Sequence, residues 1–132
     1  QDVTIISYGI GMMHTLEADK KLKEIGISAE IIDLRTLFPI DKKLIYSTVN
    51  KHGKCLVITE EPYSSSFAQS LAGDIQEKCF KNLDSPVFVL GAENLPAIPL
   101  NSILEETMLP NSEKVAKKIH DFLVTRNEKS TL

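Results

Sequence analysis

Four short apolar runs alternate along this chain with stretches in which apolar residues recur every three or four positions. VTIISY at 3–8, AEIIDL at 29–34, KCLVITEE at 54–61 and PVFVLG at 86–91 are rich in Val, Ile and Leu, the pattern of buried strands. Between them the period changes to that of a helix. Residues 12–25 are expected to form one, with Leu16, Leu22 and Ile25 near one face, lysines opposite, and Gly26 suited to end it. Pro39 and Asp41 mark the next start, with Asp41 as cap, Leu44, Ile45 and Val49 as the apolar side, and KHG at 51–53 as the close. Pro62 ends the third strand. Phe67, Ala68, Leu71, Ala72, Ile75 and Cys79 then make 65–80 the clearest amphipathic helix, which Ser65 or Ser66 can cap. A short helix is expected at 103–108. Val115, Ala116, Ile119, Phe122 and Leu123 line one face of a last helix, for which Ser112 is the expected cap.

Strands separated by helices predict the α/β class: a three-layer αβα fold around a mostly parallel sheet of about five strands, with right-handed crossovers. No repeat or long linker interrupts the order. One domain is expected over 1–124, followed by a polar tail at 125–132 that should fray. The chain opens on Gln1 and is in a strand by Val3, an abrupt start that reads as a piece of a longer polypeptide.

Composition narrows the function classes. With 132 residues, 42% apolar and 25% charged, the chain can bury a real core and is not wholesale disordered. A formal net charge of −3 offers no broad attraction to nucleic acid or to anionic membrane. No apolar run approaches the roughly 18 residues that span a bilayer. Cys55 and Cys79 lie in apolar surroundings and read as buried thiols of a reducing compartment, which favours a cytoplasmic location.

The candidate chemistry is thin. SYGIGMMHT at the first strand-to-helix turn lacks the third glycine of GxGxxG and the lysine of a P-loop; Gly9 and Gly11 favour a tight turn over an anion site. His14 falls in the first helical turn, on the rim where open α/β sheets bind ligands. His52 should help end a helix, and His120 should face solvent. Glu60 and Glu61 end the third strand near the same rim, but neighbouring strand residues point to opposite faces, which argues against a carboxylate dyad. YSSSF puts hydroxyls at a helix start, where capping outweighs nucleophilic chemistry because no GxSxG elbow is present. No HExxH or CxxC spacing offers a zinc site. Asp33 and Arg35 could pair at the rim. Leu37, Phe38 and Pro39, and then Leu95, Pro96, Ile98 and Pro99, are apolar segments in loops, the composition of surfaces that pack on something else. The residues alone thus describe an α/β domain with no self-contained catalytic constellation.

Read together, DVTIISYGIGMMHTLEADKKL, GISAEIIDLRTLFPID, CLVITEEP and GAENLPAIPLNSILEETMLPN resemble the C-terminal transketolase-like domain of the β part of 2-oxo acid dehydrogenase E1. The likeness runs essentially from Asp2 to Leu123. The family pattern falls on Gly9, His14, Asp33, Leu34, Arg35, Pro39, Asp41, Glu60, Glu61 and Pro62; serines stand at Ser64, Ser65 and Ser66 where the family commonly has glycines. The GAENLPAIP form favours the branched-chain (2-oxoisovalerate) type or a fused E1, with the pyruvate type second and a standalone anion-binding regulatory module as the alternative outside the family. The resemblance implies an enzyme of thiamine diphosphate and magnesium that decarboxylates a 2-oxo acid and passes the acyl group to lipoyl-E2. It implies that both cofactors are held by other E1 portions, that no residue here is catalytic, cofactor-binding or metal-ligating, and that the domain serves assembly with the remaining E1 domains and docking of the E2 acyltransferase. His14, Arg35, Glu60 and Glu61 are then rim or interface positions, and the two apolar segments are interface.

Overall fold

The computed structural model describes residues 1–96 and 100–129. Four strands form one parallel sheet in the order β2-β1-β3-β4: β1 Val3–Ser7, β2 Ala29–Asp33, β3 Cys55–Pro62 and β4 Phe88–Ala92. The class and layers are those expected. The described sheet has four strands where about five were expected, one for each of the four apolar runs. The helices are α1 Gly11–Glu24, α2 Lys42–His52, α3 Phe67–Cys79, α4 Ser102–Met108 and α5 Ser112–Lys129. The last continues past Val124, where the domain boundary was drawn from the sequence.

The strict alternation of side chains along each strand builds two cores. Ile6, Ile32, Cys55 and Val57 face one side with Val87 and Val89, against Ile45 and Val49 of α2 and Leu71, Ile75 and Cys79 of α3. Val3, Ile5, Leu56 and Ile58 face the other side with Phe88 and Leu90, against Ala18 and Leu22 of α1 and Val115 and Ile119 of α5. Both cysteines are buried and free.

Two helix readings are corrected. α1 does not bury Leu16 or Ile25, which are 51% and 58% exposed. Its inner face is Gly11, Thr15, Ala18, Asp19 and Leu22. Small residues let α1 lie close to the sheet: a Cβ at Gly11 would stand 2.5 Å from Ser7 Oγ. The cap of α5 is Asn111, whose Oδ1 accepts from Lys114 N at 2.9 Å, and not Ser112, which is the first helical residue. Asp41 caps α2 as expected, accepting from Leu44 N at 2.9 Å, and Gly53 closes that helix at φ +69°. Gly26, at φ +80°, follows the end of α1.

Candidate functional site

The chain leaves β1 toward α1 on one face of the sheet and leaves β3 toward α3 on the other. These two strands are central neighbours, so a crevice opens beyond their C-terminal ends, the place where α/β sheets usually take ligands. Here the polar groups engage one another. Tyr8 OH donates to Thr59 Oγ1 at 2.8 Å and lies 3.3 Å from Glu61 Oε2. Glu61 Oε2 also accepts from Phe67 N, the first amide of α3, at 2.8 Å. The Tyr8 and Phe67 rings meet edge to face at 5.8 Å. Burial, with the Glu61 charge as a lesser cause, raises the Tyr8 phenol above its ordinary value, so it stays a neutral donor.

The N-terminus of α3 is satisfied from within. Ser66 accepts from Gln69 N at 3.1 Å, and the Gln69 side chain reaches back to Ser65 N at 3.3 Å, a near capping box. Glu61 adds a negative charge at the positive end of the helix dipole. Of the two serines offered as caps, Ser66 serves. Ser65 adopts φ +62°, the left-handed region that glycine enters freely.

The four rim candidates are not drawn together. His14 is half-buried in the first turn of α1, Glu60 is exposed, and Glu61 is committed to Tyr8 and α3. Arg35 is exposed and pairs with Asp33 at 2.6 Å, as its spacing suggested. No hydrogen bond or ion pair joins any two of the four among the described residues. Leu37, Phe38, Pro39, Leu95 and Pro96 are exposed, Phe38 at 95%. Ile98 and Pro99 lie outside the described residues. Leu100, Ile103 and Leu104 extend the exposed apolar surface onto α4.

Three features had weak signals in the sequence. His52 does end α2, but its ring is buried, with Nε2 at 2.6 Å from Glu30 Oε2 and Nδ1 at 3.0 Å from Gln1 O. Both neighbours are hydrogen-bond acceptors. Asp19 is buried on α1, paired to Lys23 at 2.6 Å, and its Oδ1 has no hydrogen-bond partner among the described residues. A groove of about 750 Å³ runs along the outer edge of β4 between α3 and α5. Only the lateral strand order puts β4 at an edge, and that order is invisible in a linear pattern.

The comparisons with known proteins agree on one architecture. A family model described as transketolase, C-terminal domain, matches residues 1–115. The chain is 37% identical over 121 residues to the 2-oxoisovalerate dehydrogenase subunit beta of Bacillus subtilis, covering 92% of this chain and 37% of that one. It is 36% identical over 122 residues to the mitochondrial pyruvate dehydrogenase E1 component subunit beta of Caenorhabditis elegans, covering 92% and 34%. It is 33% identical over 122 residues to the acetoin:2,6-dichlorophenolindophenol oxidoreductase subunit beta of B. subtilis, covering 92% and 35%. A solved split-gene transketolase, an inactive β4 tetramer, superposes with a TM-score of 0.74 at 25% identity, covering 91% of this chain and 38% of that one. The chain thus spans a little over a third of the length of these relatives.

Proposed function

This chain belongs to the transketolase C-terminal domain family, and from that premise we propose that it is the assembly and partner-docking domain of a 2-oxo acid dehydrogenase E1 β part. The enzyme oxidatively decarboxylates a branched-chain 2-oxo acid and passes the acyl group to the lipoyl arm of an E2 acyltransferase. The observation that carries this reading is the 37% identity to a 2-oxoisovalerate dehydrogenase β subunit over nearly the whole chain. The pyruvate type is the second reading, because pyruvate dehydrogenase β subunits match almost as well, at 32–36%.

The residues present do not fit a thiamine diphosphate and magnesium site. Among the described residues no group of three or more His, Cys, Asp or Glu gathers to hold a metal. Of the two rim carboxylates, Glu61 is already committed to Tyr8 and the α3 amide. In this reading the cofactors belong to the other E1 portions. The role left to this domain is contact, through the exposed Leu37, Phe38 and Pro39, the Leu95 to Leu104 region, and the rim residues His14, Arg35, Glu60 and Glu61. Two buried free thiols suit a reducing compartment such as the cytoplasm.

The test is decarboxylation by the longer protein with 3-methyl-2-oxobutanoate and with pyruvate, with thiamine diphosphate, magnesium and lipoylated E2. Preference for the branched acid is expected. Preference for pyruvate moves the assignment to the second reading, and turnover of neither acid removes the E1 assignment.

A further inference from the structure

The β4 edge, FVLGA, has no charge and no proline, and among the described residues no strand pairs with its outer side. Successive strand residues turn their peptide groups to opposite sides, so a few contacts fix which residues of β4 face outward. Thr4 N donates to Lys54 O, which turns the even-numbered residues of β3 toward β1 and leaves the odd-numbered ones to β4. Ala92 O accepts from Tyr63 N on the β3 side, and Val87 N donates outward to Gln76 Oε1 at 2.9 Å. Val87, Val89, Gly91 and Glu93 therefore present their backbone groups to the open side. The two ends of this row are engaged, Val87 N by Gln76 and Glu93 N by Met108 O at 3.2 Å. Between them Val89 and Gly91 make no hydrogen bond on that side among the described residues.

The space beside this row is shaped on both faces of the sheet. On the α3 face the groove is walled by Ala72, Gly73 and Gln76. Gly73 lies inside a helix, where glycine is unfavourable, yet a Cβ there would meet nothing within 4 Å. The domain's own packing does not need that glycine; its effect is to keep the groove wide. Gly73 is one turn before Gln76, which reaches Val87, and two strand residues cover a similar rise, so Gly73 stands level with Val89. On the α5 face Lys118 Nζ lies 5.1 Å from the Phe88 ring, with no ion pair among the described residues. We propose that the β4 edge binds an extended segment of another protein by strand addition, antiparallel to β4, in which a bulky apolar residue is followed by an acidic one. Free N–H and C=O groups on two alternate residues are the complement of an extended backbone. Antiparallel pairing is the more stable ladder, and directly opposed residues share a face. The residue opposite Val89 therefore sends its side chain toward Gly73. The next one, opposite Phe88, sends its carboxylate toward Lys118. Glu93, at the far end of the groove, disfavours an acidic residue there.

The inference rests on the edge and its groove and does not depend on the enzyme assignment, which turnover tests separately. The test is titration of the isotope-labelled 132-residue chain with the capped peptide acetyl-Thr-Thr-Val-Leu-Glu-Thr-Thr-amide, read by amide NMR shifts and hydrogen exchange. Saturable shifts along β4 are expected, with slower exchange at the Val89 and Gly91 amides. The same peptide N-methylated at leucine should lose binding, because that N–H pairs with the Val89 carbonyl. Gly73→Leu should abolish binding by filling the groove, while thermal unfolding shows the variant to be folded. Lys118→Glu should weaken binding roughly tenfold, and a peptide with lysine in place of glutamate should recover it on that variant. No saturable binding at millimolar peptide overturns the proposal. So does binding that N-methylation or Gly73→Leu leaves unchanged, or a charge swap without recovery. Val89 and Gly91 amides already protected in the free chain would mean that the edge is occupied without a partner, and that also overturns it.

Discussion

Single atoms decide several positions in this domain. A Cβ at Gly91 would lie 2.9 Å from the Glu61 carbonyl oxygen and 3.0 Å from Tyr63 Cα, both backbone, which cannot swing aside. Gly91→Ala should therefore cost about 1–3 kcal/mol in urea unfolding. At Gly11 the obstacle is a side-chain atom, Ser7 Oγ. Gly11→Ala should destabilise, and adding Ser7→Ala should recover most of the loss, a coupling that a double-mutant cycle measures. Titration sets two further limits. The Glu30 carboxyl is held below its ordinary 4.5, chiefly by the His52 hydrogen bond, and Asp74 is held below its ordinary 3.8, chiefly by Tyr46. The stability these groups contribute is complete above those values and is lost as pH falls through the lower folded ones. Tyr46 moves the opposite way. Burial first and Asp74 second push its phenol up to about 12. Its contribution is complete below pH 10.0 and is lost as pH rises toward about 12. Thermal unfolding followed across pH should show both limbs; Glu30→Gln should flatten the acid one and Tyr46→Phe the alkaline one.

At the scale of elements, helix starts carry most of the side-chain-to-backbone specificity. Ser66→Ala removes the acceptor for Gln69 N and should cost about 1 kcal/mol in chemical denaturation. At α5 the choice between adjacent residues is itself a test. Asn111→Ala should cost about 1 kcal/mol, and Ser112→Ala less than about 0.5 kcal/mol. Both residue types favour the cap position, and the linear pattern left them one place apart. The structure separates them because Val115, the first fully buried residue of α5, draws its amide to the Asn111 carbonyl at 3.0 Å. α1 shows a different failure of the pattern. Leu16 and, at its C-cap, Ile25 point outward, while Thr15, Ala18 and Asp19 are buried beside Leu22. A hydrophobic period finds bulky residues, but a helix pressed close to a sheet is selected for small ones.

On the scale of the whole molecule, exposed apolar surface is the main unspent feature. Phe38, Leu100, Ile103 and Leu104 make little of this core. Phe38→Glu and Leu104→Glu should leave the unfolding free energy of the chain within about 0.5 kcal/mol. In the longer protein the same changes should weaken subunit assembly, read by mass in solution; unchanged assembly would argue against the proposed role of these loops. The strand and helix alternation, the cap at Asp41, a serine cap for α3 at Ser65 or Ser66, the buried cysteines and the family pattern were all legible by themselves, because each rests on residues close in sequence with a local physical cause. The lateral order of the strands was decided only by the tertiary structure, and with it the bare edge of β4 and the crevice between β1 and β3. So was the fate of Glu61, drawn to Tyr8 and to the first amide of α3. These depend on which runs lie side by side, and that is settled when the whole apolar surface is buried at once rather than by any segment alone.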